Sequence, residues 1–373
     1  MPGSYWLEEP AATPSPRRLD GSPQVEIVGA GVTGCSCALA LARAGLRVRV
    51  HDARAIAGGA SGRNGGFALR GGSMPYDEAR TTLGPERAKA LWALTERGLD
   101  AIEILAGDAY RRTGSLRLAS DPLEREALES EFHALSEDGF RVEWLGELPP
   151  RLAGFTGGLR HLPDAAIHPA RWVRRLAQHA AAAGAELRER SRVDSLSELE
   201  APTVVLATDG YTRGLVPELD AAIDPIRNQV VVTEPLAELL FPLPHYGRYG
   251  YDYWQQTPDR RLVVGGRRDA DDAENTDVEA LTPVVQERLE TFIVELLGWL
   301  PSITHRWAGI FGSSSDGRPL AGAVPGRDGL WVSAGYSGHG NVLGFVCGEL
   351  VAAAILGAPA PELELFDPAR ILG

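Results

Sequence analysis

Cysteine is scarce in this 373-residue chain: Cys35, Cys37 and Cys347 are the only three. Three scattered thiols cannot build a disulfide framework, which points to a reducing, cytoplasmic compartment. Cys35 and Cys37 stand two apart on an expected helix, so they face different ways and cannot chelate a metal together. Their plain reading is small buried residues, and no metal site is expected. Long apolar runs are also missing. The longest candidate, residues 342–357, is interrupted by Glu349 and falls short of the ~20 residues that cross a bilayer. The N-terminal stretch MPGSYWLEEPAATPSPRRLDGSP has no apolar core of signal-peptide length and reads as Pro-rich, extended chain. Basic residues are in deficit, 37 against 50 acids, for a net charge of -13. That balance argues against nucleic acid or an anionic membrane as partner and leaves room for a cationic small molecule. No internal repeat is evident.

What is present is an ordinary globular composition, 44% hydrophobic and 23% charged, in a chain long enough for two or three domains. Residues 24–28 form a short apolar strand, 32–44 a helix of small residues stopped by Gly45, and 46–51 a second strand. That is a βαβ unit. Residues 54–73 are Gly-rich. Helical periodicity follows at 88–107 and 122–139, with a strand at 114–119 between them. Further helices are expected at 168–183, 283–300 and 341–356, and strands at 186–190, 202–207, 226–234, 261–266 and 330–334. The nucleotide-type elements recur near 24–70, 168–210 and 305–356, with other segments between. This order implies an α/β fold: a Rossmann-type domain from residues 1–75, 155–215 and 305–373, and a discontinuous α+β substrate domain, built on an antiparallel sheet, from 76–154 and 216–304.

The sharpest local motif is Gly29-Ala30-Gly31-Val32-Thr33-Gly34. It follows a strand and opens a helix. Gly29 permits the tight turn, Gly31 lets the backbone approach a pyrophosphate, and Gly34 allows close packing of helix on strand. The phosphates would meet the free N–H groups of the helix start. Asp52, just past the second strand, stands where an acid binds ribose hydroxyls, followed by Ala53 and Arg54. A lone glycine fingerprint is weak, but this context is not, although it does not separate NAD from FAD.

The next segment, Ala60-Ser61-Gly62-Arg63-Asn64-Gly65-Gly66, resembles the flavin-contacting loop of the D-amino acid oxidase and glycine oxidase (DAO) family of FAD-dependent oxidoreductases. Within it the pattern is most like the gamma-glutamylputrescine oxidase subgroup. Ser61 and Asn64 offer hydrogen bonds, Arg63 a cation, and Gly65 and Gly66 a backbone that can lie against a cofactor. Three more stretches resemble the family. In Ser191-Arg192-Val193 the resemblance gives Val193 a backbone contact to adenine. Residues 204–210, VVLATDG, resemble the strand that ends at the cofactor with Ala207 and Thr208; Asp209 departs from the usual glycine. Residues 307–322 and 332–340 resemble the C-terminal signature, in which Gly335, Gly338, His339 and Gly340 would bring donors to the pyrimidine side of the flavin. The resemblance runs from SYWLE at the N-terminus to the last helix.

The departures carry information too. The family's carboxylate-pairing arginine is replaced by Phe311, which cannot make a bidentate clamp. The cysteine to which some relatives attach the flavin is missing from this C-terminal segment, so a non-covalent FAD is implied. The lysine that assists oxygen in those relatives is absent from 261–267, which leaves oxygen or another electron acceptor open. Tyr246, Tyr249, Tyr251, Tyr253 and Trp254 crowd into nine residues. Alternation puts 249, 251 and 253 on one face of a strand, a pocket wall suited to an amine by cation–π contact and low polarity. Tyr251, Tyr253 and Trp254 are the pocket candidates; a core cluster is the plain alternative. The expected function is an FAD-dependent amine oxidoreductase. Its alternatives are a secondary, N-methyl or D-amino acid oxidase with Arg267 or Arg318 taking the carboxylate, a non-catalytic flavoprotein subunit, and an NAD-dependent dehydrogenase.

Overall fold

The computed structural model describes residues 3–10 and 18–373. Residues 1, 2 and 11–17 of the stretch expected to be extended lie outside the described residues. Within that stretch Tyr5–Leu7 forms a 3-10 turn with Trp6 buried. The chain then makes β1 (Val25–Val28), α1 (Val32–Arg43), β2 (Val48–His51), β3 (Phe67–Ala68), α2 (Tyr76–Leu83), α3 (Pro85–Ala106), β4 (Tyr110–Arg111) and β5 (Ser115–Ala119). It continues with α4 (Pro122–Glu137), β6 (Val142–Leu145), β7 (Gly157–His161), β8 (Ala165–Ile167), α5 (Pro169–Ala183), β9 (Glu186–Arg188), β10 (Thr203–Leu206) and α6 (Pro217–Asp220). The last part holds β11 (Ile223–Pro235), β12 (His245–Gly247), β13 (Asp252–Gln256), β14 (Arg261–Gly266), α7 (Pro283–Leu297), β15 (Ile303–Ser314), β16 (Leu320–Ala323), β17 (Leu330–Ala334), α8 (Gly340–Ile355) and α9 (Ala369–Leu372).

Two large sheets organise these elements. One has six strands in the order β16-β17-β10-β1-β2-β9. All its pairs are parallel except β16–β17. Strand β1 sits at the centre, buried at every position, as a parallel strand covered on both faces must be. Helix α1 crosses α8 closely because small residues face each other. A Cβ on Gly348 would stand 2.6 Å from the Thr33 carbonyl oxygen, and Ser36 Oγ donates to the Phe345 carbonyl at 2.7 Å. Helix α5 starts where the His168 side chain accepts from Arg171 N at 3.2 Å, and ends at Gly184 in the left-handed region.

The second sheet has eight strands, β15-β11-β14-β13-β12-β5-β7-β6. It is antiparallel but for the parallel pair β5–β12. Strand β15 pairs with β11 and β7 with β5 and β6, so residues 157–161 and 303–314 run in this sheet. A small third sheet has the strand order β3-β8-β4. No described helix is long and apolar enough to cross a membrane, and the described residues hold no cluster able to bind a metal ion.

Candidate active site

The glycine fingerprint is built for close approach. Gly29 has φ +108°, and a Cβ on it would stand 2.4 Å from the Ala207 carbonyl oxygen. A Cβ on Gly34 would stand 1.9 Å from the Gly29 carbonyl oxygen. Both positions admit only glycine. A Cβ on Gly31 would meet Ser61 Oγ at 2.8 Å. Ser61 Oγ itself accepts from Val32 N at 3.1 Å, at the first turn of α1. The Asp52 carboxylate accepts from Ala30 N and Arg54 N, both at 2.7 Å. Burial raises the pKa of Asp52, and these two backbone donors oppose the rise.

The SGRNGG loop is held by four other segments of the chain. Asn64 Nδ2 donates to the Ala60 and Ser61 carbonyls, while its Oδ1 accepts from Gly66 N at 2.8 Å and Asn341 Nδ2 at 3.1 Å. Asn341 thereby ties the loop to the start of α8. Trp307 Nε1 donates to the Arg63 carbonyl at 2.7 Å. From the N-terminal segment, Trp6 Nε1 donates to the Asn64 carbonyl at 2.9 Å and Ser4 Oγ to the Gly62 carbonyl at 3.0 Å. Gln255 Nε2 reaches the Gly65 and Gly66 carbonyls from β13.

Asp209, which had no expected role, joins three segments. At φ +47° its carboxylate accepts from Gly312 N at 3.0 Å, Gly335 N at 2.9 Å and Tyr336 N at 3.4 Å. It thus knots the end of β10 to β15 and to the loop before α8. Its departure from the family's glycine was visible in the sequence; its partners, over 100 residues away, were not.

These segments meet around a cavity of about 670 Å³, within the size range of small-molecule sites. Gly31, Ser61, Arg63, Asn64, Gly65, Ala207, Gly338, His339 and Gly340 line it. Gly29, Gly34, Asp52, Ala53, Arg54, Gly66, Thr208 and Gly335 do not reach its wall, though Gly29, Asp52 and Gly335 brace the lining by the contacts above. Val193 also stands off the wall and packs, partly buried, against the cluster that holds Val28, Leu206 and Val332. His339 precedes the first turn of α8, and its Nδ1 is buried with no hydrogen-bond partner among the described residues. Burial lowers its pKa to about 4, so the ring is neutral at pH 7.

Tyr246, Tyr249, Tyr251 and Tyr253 all line the cavity. Their route there differs from a single strand. Strand β13 begins at Asp252; Tyr249, with φ +55°, and Tyr251 come from the turn before it. The Tyr253 ring fills the space left by two glycines: a Cβ on Gly65 would come within 2.6 Å of it and one on Gly265 within 2.3 Å. Trp254 is corrected. It is 0% exposed and faces the other side of the sheet, stacked on His245 at 5.1 Å and packed against Phe155, Phe241 and Phe292. Successive strand residues point to opposite faces, so Tyr253 and Trp254 cannot share a wall.

One end of the cavity is charged. Arg117 pairs with Glu131 at 2.7 Å and Arg70 with Glu96 at 2.6 Å. Arg70 Nη2 donates to His161 Nδ1 at 3.2 Å, which places the His161 proton on Nε2. Burial, helped by the charges of Arg70 and Arg117, holds His161 well below its usual pKa. Arg267 and Arg318 are engaged elsewhere and take no part in the wall: Arg267 pairs with Asp252 at 2.7 Å and Arg318 with Asp316 at 2.7 Å. The free cysteines are buried in the core and none lines the cavity.

The donor set suits a flavin dinucleotide: a glycine-lined wall, two helix starts, and an unpartnered buried imidazole nitrogen on one surface. Comparison with known proteins agrees. The DAO family pattern, described as FAD dependent oxidoreductase, matches residues 24–354. The chain is 30% identical to the oxidoreductase OrdL of Rhizobium meliloti, over 99% of this chain and 92% of that protein. It is 29% identical to gamma-glutamylputrescine oxidoreductase of Escherichia coli, over 91% and 84%, and 28% identical to glycine oxidase of Pseudomonas aeruginosa, over 93% and 98%. In fold it is similar to glycine oxidase from Geobacillus kaustophilus, with TM-score 0.75 and 22% identity over 94% of this chain and 98% of that one. The chain therefore belongs to the DAO family of FAD-dependent oxidoreductases.

Proposed function

We propose that this enzyme is an amine oxidoreductase. It takes hydride from the carbon next to an amine nitrogen, leaving an imine that hydrolyses to an aldehyde and ammonia or a smaller amine. The observation that carries this reading is the aromatic wall of Tyr246, Tyr249, Tyr251, Tyr253 and Phe311 on the same cavity as the SGRNGG loop and the start of α8. The gamma-glutamylputrescine oxidoreductase and glycine oxidase among the relatives support a substrate with a C–N bond.

Bound FAD supplies the hydride acceptor, flavin N5, and hands the electrons on to oxygen or another acceptor. In this reading Asp52, with Ala53 and Arg54, holds the ribose, and Val193 lies by the adenine. The start of α1 behind Gly29, Gly31 and Gly34 faces the phosphates. Arg63, Asn64, Gly65 and Gly66 hold the ring system from one side, and Ala207 and Thr208 approach it from β10. The positive end of α8, with Gly335, Gly338, Gly340 and neutral His339, would stabilise negative charge on a bound flavin. The tyrosines exclude water, and the low polarity they create favours the neutral amine, the form able to lose hydride. Glu131 and Asp209 are both occupied by donors of the chain, so no carboxylate on this wall is free to act as base. The chain's one lysine, Lys89, is exposed on α3 and stands away from the cavity. The cofactor would lie on the six-stranded sheet, held without a covalent bond, and the substrate under the eight-stranded one. Three free thiols suit a reducing cytoplasm.

A panel of putrescine-type amines, N-alkyl amines and amino acids, assayed for peroxide, tests the reading. Turnover of at least one amine class is expected. Absence of turnover, together with an unreduced flavin without oxygen, contradicts it. A secondary, N-methyl or D-amino acid oxidase is the second reading, selected if sarcosine or D-alanine outruns the putrescine-type amines.

A further inference from the structure

The excursion between β14 and α7 arches from the eight-stranded sheet onto the cofactor segments. Its two feet, Glu274 and Thr282, are pinned to β11. The Glu274 side chain is 2% exposed and pairs with Arg227 at 2.7 Å. Gln229 Nε2 donates to the Glu274 carboxylate at 2.9 Å and to Thr282 Oγ1 at 2.7 Å. Between the feet, none of residues 275–281 is buried.

The arch meets the cofactor segments through its side chains. The Glu279 carboxylate lies 2.8 Å from Arg54 and 3.8 Å from Arg63, and it accepts from the Tyr211 hydroxyl. Asp277 lies 3.6 Å from Arg213. The three partners of Glu279 come from three places. Arg54 N donates to the Asp52 carboxylate. Arg63 belongs to the SGRNGG loop and lines the cavity, as does Asn275 of the arch itself. Tyr211 follows β10, and its ring lies 4.8 Å from the Arg54 guanidinium and against Gly59, where a Cβ would stand 3.3 Å away.

A segment with buried feet and an unburied middle opens at a lower free energy than the sheets that carry it. Ion pairs at its tip then decide how long it stays closed. A carboxylate shared by two guanidiniums and a phenol makes a stronger tie than one exposed pair. An extended dinucleotide lying along Asp52, the SGRNGG loop and the end of β10 would pass beside all three partners of Glu279. We propose that residues 275–281 form a strap over the cofactor site, latched by Glu279, which sets the rates at which FAD enters and leaves. The proposal needs FAD and no particular substrate, so it stands apart from the amine reading.

The test follows FAD and involves no turnover. Release is read as the flavin fluorescence recovered when the holoenzyme is diluted, and uptake as the quenching of FAD by the full-length apoprotein. A gate slows both directions, whereas a contact that only holds the cofactor slows release alone. Glu279→Gln keeps the shape of the side chain and removes its charge. It is expected to raise release and uptake about tenfold each and to leave the FAD Kd within about threefold of wild type. If Glu279→Gln does not fold, Asp277→Asn at the exposed tip decides: both rates are expected to rise about twofold to threefold, and unchanged rates would overturn the proposal. With folded Glu279→Gln, two results overturn it: unchanged release and uptake, or faster release with unaltered uptake, which makes Glu279 a brace for the cofactor loops and not a gate.

Discussion

At the scale of single residues the account separates neighbours by the face they occupy. Trp254→Ala empties a core site and is expected to cost about 3–5 kcal/mol of stability, seen in denaturant melts, with substrate KM unchanged. Tyr251→Ala, at the cavity, is expected to do the reverse: raise KM with little loss of stability. Equal effects on KM would return Trp254 to the wall. Asp164 carries a pH prediction. It is buried and accepts from Arg70 N and Ser115 Oγ; burial raises its pKa to about 6. The folded state therefore keeps a proton that the unfolded state loses near pH 4. Stability from this group is full below pH 4 and falls as pH rises to about 6, by roughly 2–3 kcal/mol in total. Wild type minus Asp164→Asn, measured by urea melts at pH 4 and pH 7, is expected to change by that amount, with wild type relatively weaker at pH 7. The sequence disclosed the tyrosine cluster but not its geometry. A period of two marks two faces without saying which is buried, and Tyr249 enters through a backbone conformation that no pattern of apolar residues reveals.

At the scale of elements, what was legible was local. The βαβ unit of β1, α1 and β2 follows from periodicity and glycine spacing within 27 residues, Val25 to His51. The pairing of β5 with β12 joins Leu116 to His245, and nothing in either segment names the other. For the same reason neither segment shows that β7 and β15 run in the eight-stranded sheet. The N-terminal clasp is another such contact: Trp6 and Ser4 hold the SGRNGG loop from 58 residues away. Trp6→Phe removes the hydrogen bond to the Asn64 carbonyl and keeps most of the buried ring. It is expected to lower stability by about 1 kcal/mol and to weaken FAD retention during gel filtration. Unaltered FAD retention would show that the clasp does not shape the loop.

At the scale of the whole molecule, the two sheets share one cavity, and their contacts explain why the chain passes between them repeatedly. Asp209 binds the six-stranded sheet to β15. Glu279, on the excursion between β14 and α7, reaches Arg54 at 2.8 Å, Arg63 at 3.8 Å and the Tyr211 hydroxyl. Asp209 and Glu279 thus tie the SGRNGG loop and the end of β10 to β15 and to the β14–α7 excursion, as the proposed reaction between two bound molecules requires. The claim that this cavity oxidises amines is tested most directly by mixing the yellow holoenzyme with amines in the absence of oxygen and following the visible flavin absorbance. Bleaching that depends on amine concentration is the predicted result. A flavin that remains oxidised with every amine, while chemical reductant still bleaches it, would contradict the account.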